Sequence, residues 1–258
     1  MPSEPTVQIV AGNEGCRLAA ETKSVAIVVD AMRMSAMICA LLHSGVKKVH
    51  VVRRVSEART LVRHLDGALL VGERKGVKPK GFDLSNSPTE ALSSRINMNT
   101  AVLTTTTGAQ RLHEVLGALA IFVGTSVNAS SVAAAAEAVA RKNDCNVVII
   151  PAGRSDNPML PSDEDWYASA VIASHMSIGI CDGQKDLVMV MWDEIQRHGL
   201  KNIFAESLHG QQLISLGLKE DVEFCAQINI LNEVPHVEKV CEFGIGIRSV
   251  LVSEYCWR

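Results

Sequence analysis

The sequence predicts an α/β fold with a largely parallel or mixed sheet and helices on both faces. Three observations predict it. Short β-branched runs alternate with helical patterns from Ser24 to Pro151, which calls for crossover connections and mainly parallel pairing. The run Val25 to Val29 is apolar at every position instead of alternating, as expected of a strand buried on both faces. Of the 258 residues, 47% are hydrophobic and 21% charged, enough apolar surface for a large core.

The elements follow in order. Ser24 to Asp30 reads as a strand, Arg33 to His43 as a helix ending near Gly45, and Lys48 to Val52 as the next strand. A short helix starts at Ser56-Glu57, with Ser56 as the expected N-cap. Strands are expected at Ala68 to Gly72, Thr100 to Thr104, Leu119 to Gly124 and Asn146 to Pro151. Helices are expected at Gly108 to Leu116 and Asn128 to Arg141. After Gly153 the pattern turns helical, with Ser162 to Ser177, Asp182 to Arg197 and Glu206 to Ser215, before two strand-like runs at Val237 to Cys241 and Arg248 to Val252. The expected division is a core at 1–153 carrying most site loops and a helix-rich lobe at 154–258 packed on it. Arg74 to Pro88 is the longest irregular stretch, and a loop of that length inside a compact domain is usually functional.

Composition excludes several classes. The net charge is -3 and no basic stripe carries interleaved aromatics, against nucleic-acid binding. Seven scattered cysteines without a C-x-x-C pair argue against a disulfide framework or a structural zinc site. The N-terminus has no basic segment leading into an apolar run, and no stretch is long enough to span a bilayer. A cytoplasmic enzyme is expected, with a homodimer suggested by the apolar C-terminal part.

The polar chemistry gathers at strand ends, where open parallel sheets bind ligands. Asp30 ends the first strong strand and Arg33 begins the next helix. The loop Gly72 to Pro88 mixes Glu73 and Asp83 with Arg74 and three lysines; acids supply hard oxygen ligands and bases neutralise phosphate. Thr104 to Thr107 run into Gly108 and a helix, a ready anion cradle. Asn128 stands at another strand-to-helix junction, where a plain cap is the simpler reading. Ser162, Asp163, Glu164 and Asp165 open a helix. The three adjacent acids Asp163, Glu164 and Asp165 suit magnesium, while Ser162 with Asp165 equally fits a capping box. Of the eight histidines only His209, before Gly210, stands out.

Together these segments resemble the 2-phosphosulfolactate phosphatase family of coenzyme M biosynthesis and its bacterial relatives. The likeness rests on Asp30-x-x-Arg33-x-Ser35 and Gly72-Glu73-Arg74-x-Gly76. It continues through Gly81-Phe82-Asp83-x-x-Asn86-Ser87-Pro88, Leu103-Thr104-Thr105-Thr106-x-Gly108, Asn128-Ala129-Ser130 and Glu164-Asp165. Further on come His209-Gly210, Leu213, Gly217, Asp221, Cys225-Ala226 and Val234-Pro235. The resemblance implies a magnesium-dependent phosphatase acting on a small anionic phosphorylated hydroxy acid. The expected roles are Asp30, Arg33, Glu73 and Asp83 in catalysis, and Asp30, Glu164 and Asp165 on the metal. Arg74, Asn86, Ser87, Thr105, Thr106, Thr107, Gly108 and Asn128 are expected on the substrate. A phosphotransferase or lyase on the same scaffold, and a non-catalytic anion binder, are the rival readings. Recurrence of acids beside bases favours the phosphatase, because a binder needs the cradle but not the carboxylates.

Overall fold

The structure is a computed structural model that describes residues 4–153 and 162–256. Among the described residues, ten strands form one mixed sheet. They are β1 (Thr6–Ile9), β2 (Val25–Val29), β3 (Lys48–Val51), β4 (Ala68–Gly72), β5 (Thr100–Thr104), β6 (Ala120–Val123), β7 (Val147–Pro151), β8 (Gly179–Ile180), β9 (Pro235–Phe243) and β10 (Ile247–Glu254). The helices of the first part are α1 (Gly12–Glu21), α2 (Met34–His43), α3 (Val55–Val62), α4 (Pro88–Ser93), α5 (Gly108–Glu114) and α6 (Ala129–Lys142). Those of the second are α7 (Asp163–Ser174), α8 (Lys185–His198), α9 (Leu200–Glu206), α10 (Leu208–Ser215) and α11 (Lys219–Cys225).

The strand order is β4-β5-β3-β10-β9-β6-β2-β7-β1-β8. Strands β4, β5 and β3 form one parallel block, and β6, β2, β7, β1 and β8 form another. The antiparallel β9–β10 hairpin joins them, β10 pairing Val250 with Val51 and β9 pairing His236 with Phe122. The segment after residue 162 therefore supplies two central strands as well as five helices. By pairing alone the two blocks run in opposite directions. Six steps separate β4 from β2, and at the usual twist they rotate one strand against the other by roughly 120–150°. That rotation turns both carboxyl ends toward one side, where the residues that follow β2, β4 and β5 line a common cavity.

Helices cover both faces. Val25, Ile27 and Val29 of β2 join a core with α6 and α7, while Ala26 and Val28 join the opposite core with α2 and α5. This is the alternation that strand pleating imposes, and it explains why both sets are apolar. Helix α2 is buried from Met34 through Leu42, so it has no polar face to show. It wedges between sheet and helices with its N-terminal end at the tip of β2.

Two expectations about caps are corrected. Ser56 is not the N-cap of α3. Arg54 is, because the Glu57 carboxylate reaches back to accept the N–H groups of Arg53 and Arg54 at 3.1 and 3.0 Å. Ser162 with Asp165 is not a capping box. Ser162 Oγ donates instead to Glu164 at 2.8 Å, and no side-chain bond caps α7.

All seven cysteines are free. Burial pushes the Cys16 thiol up to about 12 and holds those of Cys39 and Cys225 well above the ordinary range. Since the thiolate is the reactive form, native alkylation followed by mass mapping is expected to mark exposed Cys256 and to spare Cys16, Cys39 and Cys225 until the chain unfolds. Rapid native labelling of Cys39 or Cys225 would contradict this packing. Among the described residues, no helix is long and apolar enough to cross a membrane.

Candidate active site

The carboxyl ends of β2, β4, β5 and β7, with the start of α7 and the turn into α10, enclose a cavity of about 300 Å³. Asp30 stands at its floor. Its chain end is fixed by backbone bonds, since the Asp30 N–H donates to Ser35 Oγ at 3.0 Å and Asp30 Oδ1 accepts from the Met34 N–H at 3.3 Å. Gly108 lies against the other oxygen. A Cβ there would come within 2.4 Å of Asp30 Oδ2, so α5 can start this close only with a glycine. Burial pushes the Asp30 carboxyl up to about 6; His209 and the Met34 N–H oppose the shift, and Glu73 and Glu164 add to it.

Asp165 is buried beside it. Burial, then Glu164 and Asp30, push its carboxyl well above the usual carboxylate range. Its two oxygens accept the N–H groups of Ala31 at 2.8 Å and Gly153 at 3.1 Å. Asp165 therefore clamps the tips of β2 and β7, and the acids that open α7 do more than answer a helix dipole. Glu164 also lines the cavity, with one oxygen bonded to Ser162 Oγ. Among the described residues, no hydrogen bond reaches Asp30 Oδ2 or Glu164 Oε2.

Glu73 is bound differently. Oε1 accepts from the N–H and hydroxyl of Thr106, both at 2.8 Å, and Oε2 from the Gly76 N–H at 2.8 Å. It staples the loop after β4 to the loop after β5. The two ends meet because Gly72, at φ 152°, lets the chain pass the Thr104 carbonyl where a Cβ would stand 2.1 Å away. Thr106, Thr107 and Lys75 line the cavity mouth.

Arg33 is nearly inaccessible, at 2% exposure, and lines the cavity while paired to Asp221 at 2.7 Å. Asn86 lines it as well, is 3% exposed, and has an Oδ1 with no partner among the described residues. An unpaired buried polar atom calls for an explanation, and a bound ligand or its water supplies one.

The cavity thus gathers Asp30, Arg33, Glu73, Asn86, Thr106, Thr107, Glu164 and Asp165 from five separate stretches of sequence, and Gly108 packs beneath Asp30. Other candidates stand outside its lining. Asp83 is exposed at the β4 edge and accepts the Leu70 N–H at 2.7 Å. Arg74 spans to the Arg53 carbonyl and Thr104 Oγ1, each at 2.8 Å. Ser87 caps α4 by accepting the Glu90 N–H. Thr105 Oγ1 accepts the Ala109 N–H at 3.1 Å. Asn128 accepts the Thr125 N–H at 2.9 Å, which closes the short turn Ser126–Asn128, and donates to the Glu233 carbonyl at 2.9 Å; its side chain makes no cap bond to α6, so the simpler reading of a plain helix cap is corrected as well. Arg154, which follows the β7 tip, lies outside the described residues. His209 lines the cavity, and so does Gln212, one helical turn on, which sequence reading missed. The i, i+3 spacing from His209 was the available signal.

A family model for 2-phosphosulpholactate phosphatase matches residues 13–240. A relative from Carboxydothermus hydrogenoformans is 34% identical over 216 residues, covering 84% of this chain and 87% of its own. One from Clostridium beijerinckii is 31% identical, covering 82% and 87%. One from Thermotoga petrophila is 32% identical, covering 81% and 87%. All three carry the name "probable 2-phosphosulfolactate phosphatase".

Proposed function

Because the chain belongs to the 2-phosphosulfolactate phosphatase family, we propose that it hydrolyses 2-phospho-3-sulfolactate to 3-sulfolactate and inorganic phosphate in the cavity at Asp30. It is then a phosphoric monoester hydrolase. The bond from phosphorus to the ester oxygen breaks, the oxygen of water goes to phosphorus, and a proton goes to the leaving alkoxide. Such catalysis is mainly positioning and charge stabilisation.

One observation carries the reading. The cavity holds carboxylates, Asp30 and Glu164, with oxygens that no described group satisfies, and its lining also includes Asn86, Thr106, Thr107 and Lys75. A cation held between the acids and the phosphate would let the two share one cavity. The substrate carries phosphate, sulfonate and carboxylate, while Arg33 is already paired with Asp221.

Magnesium fits these residues. Among the described residues no three acidic, His or Cys side chains form a ready metal cage, but magnesium is usually held by one or two carboxylates with phosphate oxygens and water. Asp30 and Glu164 are the two that would hold it. When bound, it stabilises charge on the phosphoryl oxygens and acidifies bound water. Asp165 and Glu73 keep the strand ends in place, and Asn86 with the Thr106 and Thr107 hydroxyls orients the ester. Lys75 and His209 meet the remaining anionic groups at the mouth.

The Asp30 carboxyl keeps its proton up to pH about 6, and magnesium competes for the same oxygens. The protonated form predominates below that pH. The magnesium concentration for half-activation is therefore expected to rise as pH falls below 6, approaching about tenfold per pH unit, and to level off above it. Activation curves at several pH values check this; a pH-independent midpoint would remove Asp30 from the metal site.

Phosphate release from 2-phosphosulfolactate, and from 2-phospholactate lacking the sulfonate, tests the substrate. The expected preference in kcat/KM for the sulfonate is about tenfold or more. Equal values would remove the sulfonate from the reading, and no release from either would remove the phosphatase.

A further inference from the structure

We propose that Asp221 is a positioning residue for substrate binding, which holds the Arg33 guanidinium in the orientation that meets the anion and fixes the turn that follows Asn86. The proposal rests on the phosphatase reading of the cavity. Asp221 sits on α11 at 1% exposure and is not part of the cavity lining. Its Oδ2 accepts from Arg33 Nη1 at 2.7 Å. Its Oδ1 accepts from Ser87 Oγ at 2.7 Å, Thr89 Oγ1 at 2.6 Å and the Thr89 N–H at 3.3 Å. Arg33 Nη2 in turn donates to the Gly76 carbonyl at 3.0 Å. One carboxylate thus ties the tip of β2 to the loop after β4 on one side and to the turn after Asn86 on the other.

Stability alone gives little reason for this arrangement. A buried ion pair is often matched or bettered by well-packed apolar residues, because desolvation offsets much of the attraction. Orientation gives a better one. With two of its N–H groups committed to Asp221 and Gly76, the Arg33 guanidinium is locked in plane beside the cavity. Asn86, next to Ser87, presents an Oδ1 that has no partner among the described residues and can accept from a water or from a donor on the ligand. Without Asp221 the guanidinium is free to turn onto Asp30 or Glu73, the other carboxylates that share its cavity.

The test compares wild type with Asp221→Asn, using steady-state kinetics on 2-phosphosulfolactate with magnesium and calorimetric titration with inorganic phosphate. A positioning role is expected to raise KM and the phosphate Kd by about tenfold or more, with kcat much less affected. A purely structural role lowers the active fraction, and so kcat, at unchanged KM. That outcome overturns the proposal, as does a folded variant with unchanged KM and phosphate Kd. If Asp221→Asn does not fold, Thr89→Val keeps the ion pair and deletes one donor to Oδ1. A rise of a few-fold in KM and phosphate Kd is expected, and none overturns the proposal. Should wild type release no phosphate yet bind it, with affinity that depends on Asp221, the phosphatase reading fails while the positioning claim stands. Wild type that neither turns over nor binds phosphate defeats both.

Discussion

Asp30→Asn is expected to lower phosphate release by roughly a thousandfold or more and to leave the protein as stable as wild type or more so. Asparagine keeps the shape and an oxygen to accept the Met34 N–H. It removes the charge that the reaction needs. The stability effect follows from the same burial. The folded Asp30 carboxyl lies near 6, against 3.8 for the free group, so the fold resists its ionisation. At neutral pH wild type bears that penalty, of the order of 1–3 kcal/mol, and the variant does not. The advantage is therefore full above about pH 6 and fades as pH falls toward 3.8, where wild type is protonated folded and unfolded alike. Phosphate-release assays with thermal unfolding at neutral and acidic pH check both halves. An inactive variant that is also strongly destabilised at neutral pH would make Asp30 a structural residue.

Gly108→Ala is expected to be the most damaging single methyl group in the site. The added carbon would stand 2.4 Å from Asp30 Oδ2 and 2.6 Å from Met34 Sδ. Met34 is fully buried and has little room to retreat, so the Asp30 carboxylate must swing away from its place. We expect a fall in kcat/KM of about a hundredfold, since displacements near 1 Å are that damaging, and a stability loss of about 1–3 kcal/mol from overpacking. Kinetics beside denaturant unfolding measure the two losses; full activity would mean that the Asp30 position does not matter.

The sequence made the strand framework legible where burial was two-sided. Val25–Val29, Ala68–Gly72 and Thr100–Thr104 could be read from composition alone, and the last two match to the residue. The strands at the β8 end of the sheet were not legible. β8 has two residues, too few for a period to emerge, and β1 mixes Thr6 and Gln8 with Val7 and Ile9 with no continuous apolar run like that of β2. Nor could periodicity place β9 and β10 in the middle of the sheet, because that position is set by long-range pairing, Val250 of β10 with Val51 of β3 and His236 of β9 with Phe122 of β6.

In the site, Asp30, Glu73, Asn86, Thr106 and Glu164 were visible because strand ends collect ligands. The division between lining and bracing residues was not. Asp83 and Arg74 look as chemical as Glu73 in the loop sequence. Only the fold shows that Asp83 turns back to the Leu70 N–H while Glu73 reaches Thr106. Asp221 was quoted only as part of a motif, since nothing in Lys219 to Cys225 signals a partner 188 residues away at Arg33. Asp165 read equally as a magnesium ligand or as half of a capping box, because its partners in the fold, the N–H groups of Ala31 and Gly153, lie on other strand ends.

The most direct test of the central claim is release of inorganic phosphate from 2-phosphosulfolactate by the purified protein, with magnesium, after chelation, and after magnesium is restored. The account expects steady release that chelation abolishes and magnesium recovers. Release that persists undiminished in excess chelator, or none under any of the three conditions, would contradict it.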